Sequence, residues 1–133
     1  MYLVDTNVWL EYLLDQEKAP EAEQFLRTTD DSLLFISDFT LYSVGIITQR
    51  YNKTEIFEKF INDIFNIGEV NIIRLELTDL IKLTEYIKKY KLDFDDSYQL
   101  VCAETFKLEL ISYDKDFDRA KTKRKTPGQV IKK

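Results

Sequence analysis

Apolar and polar positions along this chain switch repeatedly between a period of two and a period near 3.6, and the switches predict the order of its elements. Tyr2-Leu3-Val4 reads as a short apolar strand that breaks off into Asp5-Thr6-Asn7, with a helix beginning at Val8-Trp9-Leu10. Pro20 suits the first turn of a helix through Phe25 and Leu26, closed by Asp30-Asp31-Ser32. Leu33-Leu34-Phe35-Ile36 is a second strand, and Ser37 is the N-cap of a helix with Leu41, Val44 and Ile47 at helical spacing. Thr54 opens a helix whose Ile56, Phe57, Phe60, Ile61, Ile64 and Phe65 form a broad apolar stripe, ended by Gly68. Residues 70–75 are the third strand, Thr78 caps a helix through Ile87, and Asp95 or Asp96 starts a helix reaching about Lys107. A fourth strand at 109–113 breaks off into Asp114-Lys115-Asp116, and a short strand at Gln129-Val130-Ile131 follows Pro127. This order predicts an α/β fold: a doubly wound three-layer sandwich with a central parallel sheet of four or five strands. At 133 residues, one domain spanning 1–133 is expected.

Composition narrows the chemistry. The chain has no histidine and a single cysteine, which excludes Ser-His-Asp and Cys-His sites, histidine-ligated or thiolate zinc, and any imidazole base. Cys102, inside Leu100-Val101-Cys102-Ala103, reads as a buried inert thiol. Three glycines and no G-x-G-x-x-G or P-loop pattern exclude a phosphate-cradling loop. No apolar run approaches the roughly 18 residues of a membrane span, and Met1 leads straight into a strand, so the cytoplasm is the expected compartment. What remains for a catalyst is carboxylates, hydroxyls, amines and the hard cations that carboxylates bind.

Charge is unevenly spread. Residues 119–133 hold seven basic residues and no acid, so against a net charge of −5 residues 1–118 carry −12. The basic end reads either as a solvated tail or as a phosphate-contacting patch beside an acidic cleft. In an open parallel sheet, functional groups gather outside the carboxyl ends of the strands. Asp5 and Asp114 leave two such ends, Asp96 begins a helix on its sheet-facing side, and Asp116 sits two residues past Asp114. Each taken singly also suits a helix cap or a turn. Together they repel, by roughly 3 kcal/mol per pair about 5 Å apart at an effective dielectric near 20. Such a cluster persists when it binds a cation or shares a proton, and Mg²⁺ is the cation that fits.

At this point the chain resembles a PIN domain, particularly the VapC-type toxin ribonucleases of toxin–antitoxin systems. The resemblance rests on Leu3-Val4-Asp5-Thr6-Asn7-Val8, Phe35-Ile36-Ser37 with Thr40-Leu41, Asp93-Phe94-Asp95-Asp96-Ser97-Tyr98-Gln99-Leu100 with Ala103, Ile111 to Phe117, and Thr126 to Ile131, the last matching the family's usual final strand. It implies that Asp5, Asp96 and Asp114 bind Mg²⁺ or Mn²⁺, with Asp116 as a further ligand or water-holder. It also implies RNA cleavage by in-line attack of a metal-activated water, Thr6 and Asn7 orienting a carboxylate or water, and Ser112 as a polar neighbour. One position departs: where the family usually has a glutamate in the helix after Ser37, this chain has Ser43. The alternative reading is therefore a PIN-like module that binds RNA or a protein without turnover. An antitoxin partner and a homodimer are expected, with the 56–65 stripe as a candidate surface for either; Trp9 is expected to pack on the sheet.

Overall fold

Four short parallel strands pair in the order β3-β2-β1-β4: β1 (Tyr2–Val4), β2 (Leu34–Ser37), β3 (Asn71–Ile73) and β4 (Glu109–Ile111). The structure is a computed structural model and describes residues 1–66 and 68–131, with Phe65 and Asn66 described by their backbone alone. Helices α1 (Thr6–Leu13) and α2 (Ala19–Thr28) join β1 to β2; α3 (Asp38–Arg50) and α4 (Thr54–Asn66) join β2 to β3. Helices α5 (Leu77–Tyr90) and α6 (Phe94–Thr105) return the chain to β4, and α7 (Pro127–Ile131) ends it.

The two sheet faces are covered by different helices, and strand periodicity decides which side chain meets which. Leu3, Leu110 and Ile73 pack with Leu83 of α5 and Leu100 and Ala103 of α6. Val4, Leu34, Ile36 and Ile111 face the other way, onto Val8, Phe25, Val44 and Phe60 of α1 to α4. Two covered faces explain why the strands read as continuous apolar runs. The sheet order has a mechanical consequence: β1 to β3 step one way, β4 returns to the far side of β1, and right-handed crossovers then place the two helix groups on opposite faces. The reversal opens a crevice where β1 and β4 end, at the position of Asp5 and of the turn holding Asp114.

Several boundaries differ from the sequence reading. The expected fifth strand at 129–131 is helix α7. Thr126 and Gln129 form a reciprocal cap there: the Gln129 amide donates to Thr126 Oγ1 (3.3 Å) and the Thr126 amide to Gln129 Oε1 (2.8 Å), with Pro127 in the first helical position. Strand-like pairing at this end is instead a single bridge between Ile111 and Lys125. Helix α5 is capped by Glu76 with Asp79, not by Thr78, and α6 starts after Asp93, which puts Asp96 inside its first turn. Trp9 is buried in the cluster on the sheet face covered by α1 to α4, as expected, and its ring meets Phe60 of α4 with centroids 5.3 Å apart. Burial pushes the Cys102 thiol up to about 12, so it stays protonated and inert at neutral pH.

The basic end is partly tied down. Arg124 forks onto Asp118 (3.1 and 3.2 Å), Lys125 meets Glu109 (3.1 Å), and Arg119 reaches Asp116 (3.3 Å). Lys132 and Lys133 lie outside the described residues, as does the side chain of Phe65 in the 56–65 stripe. Among the described residues, no helix is long and apolar enough to cross a membrane.

Candidate functional site

Asp5 ends β1 and caps α1 at once, so its buried carboxylate is fixed by the backbone on both sides. Its amide donates to Ile111 O (2.9 Å), extending the sheet ladder, while Oδ1 accepts from the Thr6 amide (2.8 Å). Three side chains complete the hold: Gln99 Nε2 donates to Oδ1 (3.0 Å), and Ser112 Oγ (2.7 Å) and Asn7 Nδ2 (3.3 Å) donate to Oδ2. Burial pushes this carboxyl above its ordinary range, the bonds from Ser112, Gln99 and Thr6 pull it back, and the nearby Asp114 charge raises it again.

Ser112 shows how fully the polar capacity here is used. Its one hydroxyl proton goes to Asp5, and its oxygen accepts from Asn7 Nδ2 (3.1 Å) and from the Asp114 amide (2.9 Å). It thereby ties the end of β1 to the turn after β4. Gln99 does the same between α6 and β2: Ser37 Oγ donates to its Oε1 (2.6 Å), and its Nε2 also donates to Thr40 Oγ1 (3.0 Å). Thr40 in turn shares a hydroxyl bond with Thr6 (2.9 Å). Gln99 and Thr40 were not among the residues expected at the site. The available signal was Gln99, a lone polar residue three positions after Asp96 in an otherwise apolar buried stripe, hence on the same helix face. Replacing Gln99 by leucine strips partners from three buried polar groups, and urea unfolding is expected to show a loss of about 1–3 kcal/mol.

Carboxylate oxygens of Asp96, Asp114 and Asp116 all lie within 4.8 Å of one another. Asp96 is buried, while Asp114 and Asp116 are half-buried. Its carboxyl is pushed up to about 8, first by burial, then by the charges of Asp114, Asp95 and Asp5 and by a hydrogen bond with Asp114. Asp114 also caps the following turn, accepting from the Asp116 amide (2.9 Å), so site and cap duties coincide. Among the described residues no cation pairs with Asp96 or Asp114; Asp116 alone has one, Arg119. Asp5, Asp96 and Asp114 line one cavity of about 240 Å³ together with Thr6, Asn7 and Ser43. Asp116 stands at its rim by its proximity to Asp96 and Asp114. All eight residues singled out from the sequence thus fall on this crevice or against it, Ser112 from beneath.

Hard carboxylate oxygens, with Asp96 and Asp114 lacking a paired cation among the described residues and facing a cavity large enough for water, fit a hard divalent cation such as Mg²⁺ or Mn²⁺. Among the described residues the cavity offers no imidazole or thiolate donor.

Comparison with known proteins follows the same lines. The PIN domain family matches the chain over residues 2–123, while no curated protein matches it. The chain is similar to a toxin-antitoxin complex from Klebsiella pneumoniae, at 25% identity over 96% of this chain and 98% of that one, with a TM-score of 0.73. It is also similar to VapC20, a sarcin-ricin-loop-cleaving toxin of Mycobacterium tuberculosis (13% identity, 96% and 100% covered, TM-score 0.81). FitAcB from Neisseria gonorrhoeae is a further likeness (17% identity, 96% and 99% covered, TM-score 0.75). At those identities the last two bear on the fold alone.

Proposed function

This chain belongs to the PIN domain family, and from that premise we propose that it is a divalent-metal-dependent ribonuclease, the toxin of a toxin–antitoxin pair. The observation that carries this reading is the convergence of Asp5, Asp96 and the Asp114–Asp116 turn, from three distant places in the chain, on one crevice, with no countercharge on Asp96 or Asp114 among the described residues.

Asp96, Asp114 and Asp116 would hold the ion, and Asp5 would take part from the wall it shares with them. A divalent cation bound there would lower the pKa of a bound water, so that hydroxide is available to attack a phosphodiester, and would offset charge on the phosphoryl oxygens. The chain's own residues do the rest. Thr6, Gln99, Ser112 and Asn7 hold Asp5 in one orientation, since every donor around it points at a carboxylate oxygen. Ser112 fixes the Asp114 backbone, and Arg119 draws the Asp116 carboxylate to one side of the turn. Ser43, on α3, faces the same cavity where the resemblance implies a glutamate. Its short hydroxyl leaves one negative charge fewer, which favours one ion over two. Ser43→Glu is accordingly expected to tighten Mg²⁺ binding about tenfold by calorimetry and to raise cleavage.

Similarity to a toxin-antitoxin complex supports an antitoxin partner. The 56–65 stripe mostly packs inward, but Phe60 and Ile64 also line an open cavity of about 500 Å³ with Trp9, Tyr12, Leu13 and Leu26. An amphipathic antitoxin segment suits that groove. A homodimer would cover Leu77 and Ile81, one turn apart on α5 and 83% and 66% exposed. Elution as a monomer at all concentrations would remove the dimer.

The function itself is tested by incubating labelled RNA with the purified chain and Mg²⁺, Mn²⁺ or EDTA. Cleavage that needs the ion and disappears with Asp114→Asn supports the nuclease. Tight RNA binding without turnover in any metal supports the non-cleaving module instead, with Ser43 as its cause.

A further inference from the structure

Resting on the nuclease reading, we infer that the face of α3 beside the acidic crevice is a subsite for a single-stranded nucleotide flanking the scissile phosphate, with Phe94 as its stacking platform and Arg50 as its phosphate contact. A second cavity, of about 310 Å³, adjoins the acidic one and shares Phe39, Ser43, Ile47 and Asp95 with it; Ile46, Arg50 and Phe94 complete its walls. The acidic end and the aromatic end are therefore one continuous trough.

Its chemistry changes along its length in the way a polynucleotide strand changes. The rings of Tyr98, Phe39 and Phe94 follow one another outward, with centroids 5.4 and 6.1 Å apart and tilts of 32° and 38°. Tyr98 is buried and anchored, donating to Asp38 (2.7 Å) and accepting from the Leu75 amide (3.1 Å); Phe39 is half-buried and Phe94 is 52% exposed. One face of the Phe94 ring rests against Phe39, and about half of the side chain stays exposed in the first helical turn, among Asp93, Asp95 and Asp96. A base has a face to lay on it, whatever its sequence. Ser43 and Arg50 lie seven residues apart on α3, about 10 Å along the axis. Arg50 is exposed, and among the described residues it has no ion-pair partner. A phosphate is the group that a free guanidinium at the end of an aromatic trough matches.

Binding is read by the anisotropy of a fluorescein-labelled, random-sequence 12-nucleotide oligoribonucleotide with Mg²⁺ present, in an Asp114→Asn background that prevents turnover. Phe94→Leu keeps an apolar side chain and removes the ring; it is expected to weaken binding by roughly tenfold or more, and Phe94→Tyr to restore it. Arg50→Gln is expected to lower the slope of log affinity against log salt by about 0.7, one phosphate contact on a single strand. With Asp114 intact, both substitutions should raise KM and leave kcat within about threefold. Unchanged affinity and salt slope in both variants, where the unsubstituted chain binds, overturns the subsite and leaves the nuclease standing. Sedimentation showing that Phe94→Leu splits a dimer while RNA affinity holds makes this face a subunit contact and equally overturns it. Absence of both binding and cleavage by the unsubstituted chain instead removes the nuclease reading, and the subsite with it.

Discussion

Asp114→Asn is expected to lower divalent-dependent RNA cleavage by at least about 10³-fold while leaving the fold intact. The side chain is half-buried, and its neutral amide can still accept from the Asp116 amide as the carboxylate does. What it loses is a charge within 4.8 Å of carboxylate oxygens of both Asp96 and Asp116. A cation held by few carboxylates loses a large part of its binding with each one removed, and the transition-state stabilisation it supplies goes with it. Asp116→Asn is expected to cost far less, about tenfold, because Arg119 already offsets that charge and the side chain stands at the rim. Cleavage rates measured across an Mg²⁺ titration separate the two cases. A variant that only binds the ion more weakly recovers at high Mg²⁺, whereas one missing an essential ligand does not. Equal, small losses for both variants would place the reacting phosphate elsewhere. Asp5 is a poorer choice for this test. Four donors converge on its two oxygens, so an asparagine there would set its own NH₂ against one of them, and lost activity would be mixed with lost stability.

That difference between Asp5 and Asp114 also marks what could be read from the sequence. Where an acid directly follows an apolar strand, as at Asp5, or stands three residues beyond one, as at Asp114, strand geometry and sheet topology together dictate its place, and the crevice could be predicted from the pattern. Asp96 was legible through its helix: one face carries Asp96, Gln99, Leu100 and Ala103, all buried. The side-chain network beneath the acids was not. Whether Gln99 reaches Asp5 depends on how closely α6 approaches β1, a tertiary distance that no local spacing encodes, although a single polar residue in a buried stripe is the trace it leaves. The misassigned strand at 129–131 has a different cause. Val130 and Ile131 favour strand, but a Thr-x-x-Gln capping box with proline in the first turn outweighs two β-branched residues at so short a segment.

The second large effect concerns stability, and it runs opposite to activity. Metal-free protein is expected to lose stability steadily as pH rises from about 4 to about 8, and Asp96→Asn to abolish most of that loss. The folded Asp96 carboxyl keeps its proton up to about 8, against an ordinary value of 3.8. Well below pH 3.8 the group is protonated in folded and unfolded chains alike. Between 4 and 8 the unfolded chain releases the proton that the folded chain retains, so each step up in pH favours unfolding, and beyond 8 the penalty is complete. A Tm that falls clearly between pH 4.5 and pH 8 in the unsubstituted chain is the expected readout. Asp5, also raised, contributes in the same direction. Asparagine at 96 carries no charge to desolvate or repel, so the variant should melt higher than the unsubstituted chain at pH 8 in EDTA and nearly equally with it at pH 4.5. Mg²⁺ reverses the order, because a bound cation replaces the proton and turns mutual repulsion into shared attraction; the unsubstituted chain should then gain Tm with the ion, releasing protons as it does, while Asp96→Asn gains little. Melting curves at three pH values, with and without Mg²⁺, decide the matter. A metal-free profile that rises toward pH 8, or an Asp96→Asn variant stabilised by Mg²⁺ as strongly as the unsubstituted chain, would mean that these carboxylates are not held together as described. The cluster is thus a cost to the fold at neutral pH that a proton or a bound cation would remove, the pattern expected where acids are kept together for binding and not for stability.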